Sequence, residues 1–126
     1  MYAATALKQY QSVNVQAQVF ETTPHRLIQM LMEGGLDRIA QAHGAMKRGQ
    51  AAQKGELIGK AVAIIGGLRD GLDMQKGGEL AGNLDRLYDY MTGRLLQANL
   101  KNDPDLLDEV AGLLREIKSA WDAIAP

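Results

Sequence analysis

Between Gly77 and Asn99 the apolar residues Leu80, Leu84, Leu87, Met91, Leu95 and Ala98 recur at steps of four, three, four, four and three. That rhythm places them on one face of an α-helix, because a strand would need an apolar residue at every second position. Gly77 and Gly78 before the run, and Asn99 and Asn102 after it, accept the backbone conformations that helix ends require. The spacing therefore predicts a helix over about 79–99. A helix of about twenty residues is only marginally stable by itself in water, and it cannot hide its own stripe. The rest of the chain has to supply partners.

Three further stripes do so. Thr23-Pro24 is a helix start, with Thr23 able to cap the first free amides and Pro24 suited to a position where its missing N–H costs nothing. Leu27/Ile28, Leu31, Gly35, Ile39, Ala42 and Met46 follow at helical spacing, predicting a helix over about 24–47 that closes at Lys47, Arg48 and Gly49. Leu57/Ile58, Ala61, Ile64/Ile65, Leu68 and Leu72 predict a second over about 51–73. Asp103-Pro104 repeats the start signal, and Leu106/Leu107, Val110, Leu113/Leu114, Ile117, Ala120/Trp121 and Ile124 carry a fourth helix over about 104–122. Helices of similar length joined by short links pack as antiparallel neighbours. The expected fold class is all-α: an antiparallel up-down-up-down four-helix bundle over 23–126 behind an N-terminal arm, 1–22. In the arm Leu7, Tyr10, Val13, Val15, Val19 and Phe20 follow no clean period, and these side chains either dock on the body or serve a partner.

The second helix is rich in glycine: Gly55, Gly59, Gly66, Gly67 and Gly71. At ~1 kcal/mol each relative to alanine, they oblige packing and not propensity to hold it. Gly55, Gly59 and Gly66, with Ala52 and Ala63 beside them, form a strip away from the main apolar stripe. Such a strip is either a solvent face that tolerates glycine or a face that another helix approaches closely.

The chemistry of the side chains excludes several functions. Fourteen basic and fifteen acidic residues leave a net charge of −1 with no long run of either sign, so no nucleic-acid partner is expected. No window approaches the ~18 apolar residues of a membrane span, so no membrane insertion is expected, and the absence of cysteine fits a reducing, cytoplasmic setting. No glutamate has a histidine three residues on, as a di-iron carboxylate bundle requires. His25 and His43 lie about five helical turns apart, too far to share a metal. Gly34-Gly35 and Gly66-Gly67 lack the Lys-Ser/Thr of a phosphate loop. Asp85 and Asp89 share a face with Arg86 nearby and read as a solvated, locally paired surface. No metal, no cofactor and no enzymatic activity are expected. Most of the methionines read as core, and Tyr88 and Tyr90, two residues apart, cannot share a face, so one should be buried and one at the surface.

The ordered set Thr23-Pro24, Leu27, Met30-Leu31 and Gly35; Lys60-Ala61, Ile64-Ile65 and Leu68; Leu87-Tyr88-Asp89-Tyr90-Met91, Leu95 and Ala98-Asn99; and Trp121 resembles the FliS family of flagellar secretion chaperones. The opening Met1-Tyr2 and Tyr10 match as well, and the likeness covers nearly the whole chain. Met32-Glu33 departs from the family's usual aromatic residue before an acidic one. The resemblance implies a cytoplasmic bundle that binds the disordered C-terminal segment of flagellin, keeps it from polymerising early and helps deliver it to the flagellar export gate. It makes Leu7 and Tyr10 candidate contacts by position. On the flanks of the second and third helices the candidates are Ile58, Ile65, Leu72, Leu87, Tyr88 and Met91, although spacing alone does not separate groove from core. A monomer or weak homodimer is expected; the competing reading is a self-associating structural bundle with no client.

Overall fold

The computed structural model describes residues 23–126. The described residues form four helices and no strand: α1 Pro24–Lys47, α2 Ala51–Asp70, α3 Met74–Lys101 and α4 Pro104–Ala123. The expected arm, with Leu7 and Tyr10, lies outside them.

Local chemistry sets most of the ends. Thr23 is extended, and its hydroxyl accepts the Arg26 amide at 3.1 Å ahead of Pro24. Asp103 does the same for Asp105 at 3.0 Å ahead of Pro104. Asn102, at φ 54° and ψ 47°, terminates α3 in the left-handed conformation and returns its N–H to Ala98. The link between α2 and α3 departs from the spacing. The apolar stripe continues to Leu72, yet α2 ends at Asp70. Asp73 has to be extended (φ −95°, ψ 98°) so that its carboxylate can accept the amides of Gln75 and Lys76 at 3.1 and 2.9 Å. A residue that caps the following helix cannot also belong to the preceding one. The single turn Met74–Gly77 then precedes the stripe, broken from it at Gly78, whose φ of 53° and ψ of −127° only glycine adopts without strain.

Each helix packs on its sequence neighbours, and α4 closes the ring on α1. The cross-links show that all neighbours are antiparallel. Trp121 near the end of α4 donates its indole N–H to the His25 carbonyl at the start of α1 (3.0 Å), and the two rings stack at 4.5 Å. Arg69 at the end of α2 pairs with Asp85 and Asp89 in the first half of α3 at 2.6 and 3.0 Å. Those two carboxylates thus tie helices together instead of pairing within their own. Lys54, buried at the start of α2, donates from Nζ to the Asn99 carbonyl and to Asn102 Oδ1, both at 3.1 Å, and so satisfies the end of α3. Glu109 of α4 accepts from Arg94 at 2.7 Å and from the Tyr90 hydroxyl at 2.6 Å. Tyr90 is the exposed tyrosine of the pair, and Tyr88 the buried one.

Ile58, Ile65, Met91, Leu95, Leu107 and Leu114 are fully enclosed between the helices. Gly35 lets α1 come close to both neighbours. A Cβ there would sit 3.1 Å from Leu114 Cδ2 and 3.4 Å from Ile64 Cγ2. The glycine strip of α2 faces open space instead, because a Cβ at Gly59 or Gly66 would meet nothing within 4 Å. Gly59→Ala and Gly66→Ala should therefore each stabilise the bundle by about 0.5–1 kcal/mol in urea unfolding. Gly78→Ala, forced to keep a positive φ, should destabilise it.

The ion pairs make stability depend on acid. Hydrogen bonding to Arg69 holds Asp85 below its ordinary 3.8. The Tyr90 hydroxyl and then Arg94 hold Glu109 below its ordinary 4.5, and Lys118 holds Asp122 below 3.8. Each carboxyl binds a proton more weakly folded than unfolded, so its contribution is complete above the ordinary value and disappears as pH falls through the lowered one. The urea midpoint should fall on acidification from about pH 5 towards pH 2, and the slope should be shallower in the Asp85→Asn/Glu109→Gln variant.

Candidate functional site

At the end of the bundle where α1 and α3 begin and α2 and α4 finish, the four stripes do not close on one another. They leave a cavity of about 690 Å³, open to solvent and walled almost wholly by apolar atoms. Ile28 and Met32 come from α1, and Leu68 from α2, with Leu72 from the link after it. The start of α3 contributes Leu80, Ala81, Leu84 and Tyr88; the end of α4 contributes Ile117, Ala120 and Trp121, with Ile124 just beyond it.

The walls are built by features already present in the helices. The stacked His25–Trp121 pair fixes the indole at the edge of the cavity. Arg69 holds the first half of α3 against α2. The link between α3 and α4 through Tyr90, Arg94 and Glu109 lies beyond the cavity, further along α3. Burial pushes the Tyr88 phenol up to about 12, so it stays neutral through the physiological range. The rim carries apolar side chains that water would ordinarily drive inward: Leu80 is 67 % exposed and Ile124 66 %. Met74, in the turn before Gly78, is also exposed. Large apolar residues clustered at the mouth of an apolar cavity mark a surface that receives another apolar segment.

Among the residues expected from sequence to touch a partner, Leu72 and Tyr88 line this cavity. Leu87 is half-buried against the core outside it. Ile58, Ile65 and Met91 lie in the interior, at 1 % exposure or less, where a partner on this surface does not reach them. Sequence reasoning missed Leu80, Leu84, Ile117, Trp121 and Ile124 as lining residues. All of them stand on the stripes of α3 and α4, but the stripes carry no sign of where the two helices cease to cover each other. Among the described residues no group of three or more His, Cys, Asp or Glu side chains could hold a metal ion. No helix among them is long and apolar enough to cross a membrane.

Among the described residues the four helices leave a large recess walled almost wholly by apolar atoms, the geometry of a helical-bundle binding protein. The family model described as flagellar protein FliS matches residues 6–126. The chain is 64% identical over 125 residues to flagellar secretion chaperone FliSB of Pseudomonas aeruginosa, covering 99% of each chain. It is 49% identical over 121 residues to flagellar secretion chaperone FliS of Vibrio cholerae (96% of this chain, 89% of that one). With the protein of that name from Salmonella typhimurium the identity is 47% over 127 residues, covering 100% of this chain and 94% of the relative. The chain belongs to the FliS family of flagellar secretion chaperones, a class of binding proteins and not of enzymes.

Core and cavity should respond differently to truncation. Ile58→Ala, Ile65→Ala and Met91→Ala should each cost about 2–5 kcal/mol in urea unfolding, because each removes enclosed methyl groups and leaves a void. Leu80→Ala, at an exposed rim position, should change stability by no more than about 0.5 kcal/mol.

Proposed function

We propose that this chain is a cytoplasmic export chaperone for flagellin. It binds the C-terminal segment of flagellin, which is disordered before assembly, prevents premature polymerisation and assists delivery to the flagellar export gate. The apolar cavity with the exposed rim side chains Leu80 and Ile124 is the observation that carries this reading. Membership of the flagellar secretion chaperone family supports the choice of client.

The physics suits a transient carrier. A disordered segment with one apolar helical face gains by folding onto a preformed apolar groove, whose walls then leave water. The ordering cost, several kcal/mol of the gross interaction energy, keeps the complex specific yet releasable. Leu7 and Tyr10 in the N-terminal arm are proposed contacts by the family likeness, with the arm competing for the groove when no client is bound. Of the remaining candidates, Leu72 and Tyr88 line the groove, Leu72 half-buried and Tyr88 at 3 % exposure. Ile58, Ile65, Leu87 and Met91 act behind the surface, as the packing that holds the groove in shape. The free protein is proposed to be a monomer or weak homodimer.

Calorimetric titration with a peptide covering the C-terminal helical segment of the cognate flagellin tests the reading. Expected are one-to-one binding, a negative heat-capacity change and a gain of helix by circular dichroism. Trp121 is the chain's single tryptophan and lines the cavity, so its emission should shift on binding. Leu80→Asp, which places a charge on the exposed rim, should weaken binding at least tenfold without unfolding the bundle. A well-folded protein that does not bind the full-length flagellin tail would remove the client and leave self-association, visible by sedimentation, as the reading to pursue.

A further inference from the structure

Among the described residues a single buried side-chain polar atom has no hydrogen-bond partner: Nε2 of His25. His25 is the second residue of α1, and its ring lies parallel to the Trp121 indole, with 8° between the planes and 4.5 Å between the centroids. The indole N–H in turn donates to the His25 carbonyl at 3.0 Å. Trp121 lines the cavity, so this clasp between α1 and α4 holds part of its wall. Charged groups surround the clasp. Arg26 and Glu33 of α1 pair at 3.0 Å, and on α4 Lys118 holds Asp122 at 2.8 Å, with Gln29 of α1 on the other carboxylate oxygen at 2.7 Å. Glu116, with Arg115 before it, comes from α4; Asp73, with Lys76 three residues on, comes from the link and the start of α3; Arg69 and Asp70 close α2. None of these groups is a hydrogen-bond partner of Nε2.

Resting on the chaperone reading of this cavity, we propose that His25 is a proton-operated latch: a second proton on its ring breaks the stack with Trp121, loosens that wall and weakens the hold on the client. Imidazole is the side chain whose charge ordinarily changes between about pH 5 and 8. In the neutral ring the proton sits on Nδ1 and Nε2 is a bare lone pair. A second proton makes Nε2 a charged donor in an enclosed place where no acceptor faces it, a costlier state than an unpaired lone pair. The first turn of a helix repels positive charge as well. The face of the indole attracts a cation, but less strongly than an enclosed charge without an acceptor is penalised. The imidazolium therefore turns out towards water and the Asp122 carboxylate, and the indole loses the ring that fixes it. The stack is complete at the alkaline end of the range and is lost as pH falls. The coupling is reciprocal, so a client that needs the wall in place opposes protonation of His25 by the same factor.

The test repeats the titration of the full chain with the C-terminal flagellin peptide from about pH 8 to about pH 5.5, above the range in which the ion pairs are lost to acid. Wild-type affinity should fall about five- to tenfold, with a slope no steeper than the tenfold per pH unit that one proton allows. In the free protein the emission of Trp121, the single tryptophan, should move to longer wavelength over the same range as the indole meets water. His25→Phe keeps an aromatic ring against the indole with no proton to take, and His25→Gln removes the ring. In each variant, shown by circular dichroism to be folded, affinity and emission should be independent of pH, whatever their level. His43→Gln, at the chain's other histidine, should leave both dependences in place. A wild-type affinity that is flat or rises on acidification, or a fall that persists in both His25 variants, would overturn the latch and leave the client reading standing. No binding of the peptide at any pH would overturn both.

Discussion

The placement of α3 decides the shape of this protein, and a few polar side chains from the neighbouring helices decide the placement. Arg69 grips Asp85 and Asp89, Lys54 takes the carbonyl at the far end of α3, and Glu109 holds Tyr90 and Arg94. Most of these partners are partly exposed, and pairs of that kind contribute modestly to stability. Their importance is geometric. Two of the ties bind α3 to α2, and the tie to α4 lies past the middle of the helix. From Leu80 to Leu84 α3 is therefore held to α2 while its apolar face looks across a gap towards Ile117, Trp121 and Ile124.

Stability and function consequently draw on different lengths of the same stripes. Where the stripes meet they enclose Ile58, Ile65, Met91, Leu95 and Leu114, and the removal of those surfaces from water supplies the main driving force for folding. Where they part, the same residue types face a recess in which apolar surface remains to be buried. The glycine-rich outer face of α2 fits the same division. Its helix is held by packing along Leu57, Ile58, Ala61, Ile64, Ile65 and Leu68, and its propensity is spent on an open surface.

The segment from Gly71 to Gly78 sits at the junction of these two regimes. Asp73 stops α2 short of its apolar stripe in order to start α3, and Gly78 turns the first turn of α3 away from the remainder. Leu72 is thereby delivered to the wall of the cavity, and Leu80 to its mouth.

Much of the fold was legible in the residues. Thr23-Pro24 and Asp103-Pro104 mark helix starts because capping and proline chemistry are local, and the three-four spacing marks the buried faces because helical geometry is periodic. The ordered motif from Thr23 to Trp121 carried the family. The tertiary structure alone decided that Arg69 takes Asp85 and Asp89, that Lys54 is buried against the end of α3, and that Ile58, Ile65 and Met91 are core while Leu80, Ile117, Trp121 and Ile124 surround a cavity. The reason is physical: spacing assigns a residue to a face of its own helix, but its depth depends on how closely another helix covers that face. That distance is set by contacts between residues far apart in the chain.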